Sequence, residues 1–559
     1  MFHARPLAIA LAAALLLGAC AMDRSTTAPA APDAAPGATL LEGLGSHSFP
    51  VTSDHPEVQR WFDQGLMLAY GFNHDAAERS FLKATRLDPE CAMCWWGAAL
   101  VLGPHVNAAM DPAMNLMAWQ RLQKAMELAP DASPREQAFI QALAARYAEN
   151  PPQDRKPLDE AYAAATRALV AQRPDDLDAA AFHAEALMDL QPWAYYDADY
   201  KPVGNTEEIV STLESVIARD RNHAGALHLY VHAVEASADP QRGVDAADRL
   251  RTLIPGSGHL VHMPAHIYAR VGRWHDAVVA NQVAIQADDR YLAMCSGNTG
   301  GVYPLGYVPH NHHFLWFAAS MGGNSKVARE AAAHTAERTN LPDLMRQPGF
   351  AGLQHYWMTP WFERVRFGRW DEIAGLPNPA PDLPYVTAIW HYAQGTAAIR
   401  QGRKDDARMH LDALRPLAAD PVMETLTMWD RYPLSHAAKI AERSLTADIA
   451  ADAGEHDTAI VALREAVAIE DRIPYDEPPG WHAPVRHALG AMLLDADRAA
   501  EAEAVYREEL ERNPGNGWSL HGLALTLRAQ GKADAAAQVE REQRDAWQHA
   551  DVQLVASRF

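Results

Sequence analysis

A pattern of small and aromatic residues that returns every 34 positions constrains this chain more than any other feature. With Trp61 counted as position 4 of a frame, Gly65 falls at 8, Ala77 at 20, Phe81 at 24, Ala84 at 27 and Pro89 at 32. Near the other end, a frame begun at Ala483 puts Gly490 at 8, Ala502 at 20, Tyr506 at 24 and Pro514 at 32. The frame 34 residues later, begun at Gly517, has Ala524 at 8, Gly531 at 15 and Ala536 at 20. Small residues at 8 and 20 let two helices approach, and a proline at 32 closes the second one. Such helix pairs bury a continuous core only by stacking on their neighbours.

The register persists between these ends. A frame from Ala224 ends with Pro255 at 32, and the next, from Gly258, has Tyr268 at 11, Gly272 at 15, Ala277 at 20 and Ala284 at 27. Others start near Pro309 (Gly323 at 15), Gln354 (Gly368 at 15), Ala388 (Gly395 at 8, Gly402 at 15) and Ile440 (Gly454 at 15). The pattern resembles the tetratricopeptide repeat (TPR) over most of residues 55–545. That resemblance implies an all-α helical solenoid, a superhelix of about ten or more repeats with inserted loops. The repeat domain is placed at residues 46–545, followed by a tail, 546–559. A hydrophobic content of 48% with 21% charged residues fits a folded, helix-rich body. Three insertions interrupt the period: Gly103–Asn107, the aromatic stretch Gln191–Gly204, and Asp288–Val308 with Cys295, Tyr303 and Tyr307. Insertions of this kind gather on one face and border binding sites, so they are candidate lids.

The N-terminus is of another kind. His3 and Arg5 precede an apolar run, Leu7 to Leu17, that is too short to span a bilayer and reads as a secretion signal. It runs into Leu17-Gly18-Ala19-Cys20, which resembles the lipobox of bacterial lipoproteins. The resemblance implies a signal peptide over residues 1–19 and lipidation of Cys20, with palmitate among its acyl chains. It also implies outer-membrane anchoring on the periplasmic side, because Ala21 rather than Asp follows the cysteine. Residues 20–45, rich in Ala, Pro, Thr and Gly, read as a flexible tether. The formal charge of -22 argues against a nucleic-acid partner and leaves the lipid as the membrane contact. Cys91 and Cys94 form a CxxC that suits a local disulfide in an oxidising compartment, or a pair of soft metal ligands. Trp95 rather than His follows Cys94, which excludes covalent haem attachment.

The 26 histidines are about twice an ordinary share, and the register orders those in the middle third. His228 and His232 stand at positions 5 and 9 of their frame, and His262 and His266 repeat those positions one frame on. His259 is at position 2 of that second frame; His310 and His313 are at positions 2 and 5 of the frame from Pro309, and His355 is at position 2 of the next. Positions 2, 5 and 9 form one stripe along a helix. In the TPR family that stripe faces the concave groove. Neighbouring helix axes lie roughly 8–10 Å apart, close enough for imidazoles on adjacent stripes to converge. Glu235, beside His232, adds a carboxylate.

Imidazole is the commonest metal ligand, and i,i+4 pairs on one helix face can share an ion. The leading expectation is therefore a divalent transition-metal site built from His228, His232, His259, His262, His266, His310, His313 and Glu235. Zinc and copper suit the nitrogen donors, while iron would call on the carboxylate. The alternatives are a metal-dependent enzyme using the same histidines, and a protein-interaction scaffold whose groove takes a peptide, protein or small molecule through hydrogen bonds. His105 and Asn107 are candidates to reach the groove mouth, and Tyr392, at position 5 of its frame, points at the groove; Trp95 and Trp96 read as inter-repeat core.

Overall fold

A computed structural model describes residues 38–294 and 301–559. The lipobox with Cys20, the signal peptide, the first part of the tether and Cys295 lie outside the described residues. Among those described, helices dominate, and the strands are Thr427–Met428 paired antiparallel with Tyr432–Pro433. No described helix is long and apolar enough to cross a membrane. The described residues divide into two compact units: 38–263 with 286–294 and 301–303, and 264–285 with 304–559. Each consists of antiparallel helix pairs, and the fold is all-α, of the TPR type.

In the first unit the register explains itself sterically. Helix Val58–Tyr70 carries Gly65, and helix Ala92–Leu100 carries Gly97. A Cβ on either would stand 2.5–2.7 Å from the ring of Phe81, which projects from helix His74–Leu87 between them. Phe81 is fully buried there, a placement worth roughly 1.5–3 kcal/mol. Asn73 caps the second helix by accepting from the Ala76 N–H, and Ser133 with Glu136 forms a capping box on helix Pro134–Leu143. Phe49, from the segment preceding the first helix, joins Phe62, Trp96 and Phe139, with the Arg135 guanidinium 3.6 Å above its ring. The end of the predicted tether is attached: Leu41 N–H donates to Gln64, and Gly256 N–H donates to the Gly43 carbonyl. Trp96 is core, as expected, and Cys91 and Cys94 are disulfide-bonded at the start of their helix.

The second unit repeats the same device. A Cβ on Gly490 or Gly522 would lie 2.3–2.4 Å from the Tyr506 ring, the aromatic at position 24 of its frame. The C-terminal segment packs rather than trails. Trp547 and Phe559 lie against Trp518, and Ser557 bridges the Tyr506 hydroxyl and the His487 carbonyl at 2.7 Å each.

Candidate metal centre

Helix Ala224–Val234 brings two of the predicted histidines into the core of the first unit. His223 caps it, its Nδ1 accepting from the Ala226 N–H, and Gly225 lets the helix lie against the ring of Tyr70. Every residue of this helix is buried, so His228 and His232 point into protein on a single stripe, their ring centres 4.9 Å apart. His228 Nδ1 is 2.7 Å from the Tyr70 carbonyl, which can only accept; Nδ1 therefore carries the proton, and Nε2 keeps its lone pair. His232 Nδ1 is 2.9 Å from Glu235 Oε1, and the same reasoning leaves its Nε2 as the donor atom.

The next frame supplies the third imidazole. His259, on helix Gly258–His262, places Nε2 3.1 Å from Nε2 of His228. Its backbone N–H donates to the Tyr303 hydroxyl, which in turn donates to Asp288. One nitrogen each from His228, His232 and His259 lies within 4.8 Å of the others. Around a tetrahedral ion with bonds of about 2.0–2.1 Å, ligand nitrogens stand about 3.3 Å apart, so small rotations of these rings would meet the requirement. A carbonyl and a carboxylate on the outer nitrogens are the usual means of aiming imidazoles at a metal.

A fourth ring completes the cluster. The Phe72 phenyl is centred 4.5 Å from His228, 5.9 Å from His232 and 5.6 Å from His259. Phe72 is buried and has φ +55, a left-handed conformation that costs a residue with a side chain about 1–2 kcal/mol. It occupies position 15 of its frame. Other frames put Gly272, Gly323, Gly368, Gly402, Gly454 and Gly531 there, all with positive φ. Asp497, at position 15 of the frame from Ala483, also has a positive φ (+58), so the position accepts a side chain; in the first frame that side chain is a phenyl beside three histidines. Position 15 is the signal by which sequence reading could have found Phe72, which it missed.

Besides the third insertion, which reaches His259 through Tyr303, the other two also border this cluster. Trp193, from Gln191–Gly204, meets His232 edge-on at 5.3 Å, and the Tyr196 hydroxyl donates to the Ala233 carbonyl. His105, from Gly103–Asn107, stacks on Phe72 at 4.5 Å. Burial pushes the His105 pKa well below the usual imidazole range, with His74, Arg146, His228 and His232 adding to the effect. Its Nδ1 accepts from the Asn107 N–H, so its proton sits on Nε2, and His105 walls the cluster instead of ligating.

The remaining predicted ligands are not gathered here. Pro264 stands at position 7 of the second frame and breaks its first helix into Gly258–His262 and Pro264–Arg270, so the expected continuous stripe is interrupted. His262 is fully buried beside His259, ring centres 6.0 Å apart, in the first unit. His266, His310 and His313 belong to the second unit. Glu235 orients His232 through Nδ1. His313 belongs to no group of three potential ligands among the described residues. It lies between Trp316 and Tyr356, with both ring nitrogens buried and without hydrogen bonds. Burial, with His355 and His310 adding to it, holds its pKa well below the usual range and keeps the ring neutral. Tyr392 faces His482, its hydroxyl 3.2 Å from Nε2.

No protein-family model matches this chain, and no curated protein matches it. Among solved structures it is similar to the human IFIT1 dimer with m7Gppp-AAAA, at 12% identity and TM-score 0.31 over 89% of this chain and 91% of that one. Yeast Tom70 is similar at 12% identity and TM-score 0.28, over 88% and 97%. The TPR domain of P58(IPK) is similar at 12% identity and TM-score 0.21, over 85% and 99%. The fold is of the TPR type. The helix pairs and the register of the chain itself carry that type.

Proposed function

We propose that this chain is a metal-binding repeat protein. Its resident ion is a divalent transition metal, zinc or copper, held by Nε2 of His228, His232 and His259 and oriented through Glu235 and the Tyr70 carbonyl. The observation that carries this reading is the 3.1 Å approach of two buried imidazole nitrogens, one of them freed of its proton by a backbone carbonyl. At this distance a proton on His259 Nε2 makes a hydrogen bond to His228 Nε2, and a metal ion bound to both lone pairs would take that proton's place.

Binding rather than hydrolysis fits the surroundings. The Phe72 phenyl lies beside all three imidazoles, an apolar wall that supports a binding role. The cellular setting we propose is the periplasmic face of the outer membrane, through a lipid on Cys20 after removal of residues 1–19; the lipobox-like Leu17–Cys20 and Ala21 support it.

Metal content after dialysis tests the first part. The purified chain should retain one tightly bound equivalent, and His228→Ala with His259→Ala should lose it while far-UV helicity stays intact. Equal metal in the double variant overturns the reading. Palmitate labelling of cells tests the anchor: incorporation should vanish in Cys20→Ser.

A further inference from the structure

The second unit brings together two histidines that lie off the predicted groove stripe. In the frame from Ala388, His391 stands at position 4, beside positions 2, 5 and 9 rather than among them. It lies on helix Pro384–Arg400 and meets His410 on the following helix, Lys404–Ala418. Gly395, at position 8, lets the two helices close up: a Cβ there would stand 3.2 Å from the His410 Cβ. As a result, Nδ1 of His391 is 2.9 Å from Nδ1 of His410.

Trp390 meets both imidazoles edge-on. Its indole N–H donates to the Leu376 carbonyl, and its ring is centred 4.8 Å from His391 and 5.4 Å from His410. His410 is buried and His391 half-buried, so the pair reaches solvent on the His391 side. Burial pushes the His391 pKa down to about 4, with His410 adding to the effect, and burial lowers that of His410 as well. Asp406 and Arg403, which act on His410 in opposite directions, pair with each other at 2.6 Å. Both rings are therefore neutral at neutral pH, and one Nδ1–H donates to the other Nδ1. Moving that proton to Nε2, on the far side of its ring, leaves two Nδ1 lone pairs side by side.

We propose that His391 and His410 form a copper(II) site through their Nδ1 atoms, with water in the remaining positions. With bonds of about 2.0 Å, nitrogens at neighbouring corners of a square plane stand about 2.8 Å apart, whereas a tetrahedral ion sets them about 3.3 Å apart. The separation of 2.9 Å matches the tetragonal arrangement, and copper(II) binds nitrogen donors more tightly than the other first-row divalent ions. The site is confined to one helix pair of the second unit, so it stands or falls independently of the three-histidine cluster.

The test is a copper(II) titration of the full-length, metal-stripped chain followed by tryptophan emission, since copper(II) held beside an indole quenches it. The wild-type chain should show a saturable quench, part of which is missing in Trp390→Phe. His391→Gln and His410→Gln should each abolish that part, and His228→Ala should leave it unchanged. A Trp390 contribution that persists in His391→Gln, or no difference between wild type and Trp390→Phe, reduces the pair to a hydrogen bond and overturns the site. Should His410→Gln lose helicity by far-UV circular dichroism, His391→Gln decides alone, because its side chain is only half-buried. An equimolar amount of zinc should leave the Trp390 quench in place, and its loss there overturns the assignment to copper(II).

Discussion

Nε2 of His228 stands 3.1 Å from Nε2 of His259, although 31 residues separate the two and neither lies at a helix terminus exposed to water. One turn along the same helix, His232 adds a third nitrogen within 4.8 Å. The cluster combines an i,i+4 pair with one residue from the following repeat, and its outer contacts fix which nitrogen of His228 and of His232 faces inward.

Glu235 acts through His232, so its removal should weaken the ion without abolishing binding. Glu235→Ala is expected to lower affinity about 10–100-fold, the usual effect of losing an outer carboxylate. Glu235→Gln should lose less, because its amide oxygen can still accept from Nδ1. Competition with a chelator of known affinity measures both; identical affinities for wild type and Glu235→Ala would show that the carboxylate does not tune the site.

Phe72 offers a test of strain against packing. Glycine relieves the left-handed backbone, whereas alanine keeps most of the penalty, about 1 kcal/mol. Phe72→Gly should therefore unfold at a higher temperature than Phe72→Ala, although it has the smaller side chain. Both variants should admit a water ligand, visible as a changed ligand-field spectrum when cobalt replaces the native ion. A melting order with alanine above glycine would count against the strain.

Gly258 supports His259 from behind. A Cβ there would lie 1.9 Å from Asp288 Oδ1 and 2.4 Å from its Cγ, so Gly258→Ala must displace the carboxylate that accepts from Tyr303. The expected cost is about 1–3 kcal/mol of stability, typical of overpacking. Metal affinity should also drop, although no ligand has changed. Denaturant unfolding with and without metal separates the two effects.

A pH-dependent clasp holds the N-terminal segment to the first unit. Asp178 accepts from His47 at 2.9 Å, Tyr70 at 2.8 Å and Arg135 at 3.0 Å, and His223 is 3.3 Å away. Burial opposes a charge on His47, but Asp178 outweighs it and raises the pKa above 6.5. The contribution of His47 is thus complete below pH 6.5 and is lost as pH rises through the raised value. For Asp178, burial alone would raise the pKa, yet the hydrogen bonds from His223 and His47 hold it well below the carboxylate range. Its contribution runs the other way, present above the unfolded value and lost in strong acid. His47→Gln should cost about 1 kcal/mol near pH 6 and less near pH 8. Urea midpoints at the two pH values check this, and an equal loss at both would exclude the clasp.

Much of the fold was legible because its causes are local. Gly65, Phe81, Gly490 and Tyr506 recur at fixed spacing since a ring from one helix needs a missing Cβ on its neighbours, and that need is written at each position. The site was half legible. His228 and His232 share a stripe by helical geometry alone, and His105 was recognised as a loop residue within reach. His313 stands apart from these three because spacing places a residue on a face but not the neighbours, here Trp316, Tyr356 and His355, that face meets. Phe72 was hidden because a departure from glycine at position 15 has meaning only once the backbone there is known to be left-handed.

The sequence by itself determined the repeat, its small-residue contacts and the helix faces that carry histidine, all of which follow from periodicity within one or two helices. Only the tertiary structure decided which imidazoles meet. That choice depends on the break at Pro264, on the approach of one helix to the next, and on the Tyr70 carbonyl. A backbone oxygen that any residue would supply leaves no trace in the sequence, yet it sets the proton on His228 and so makes Nε2 a ligand.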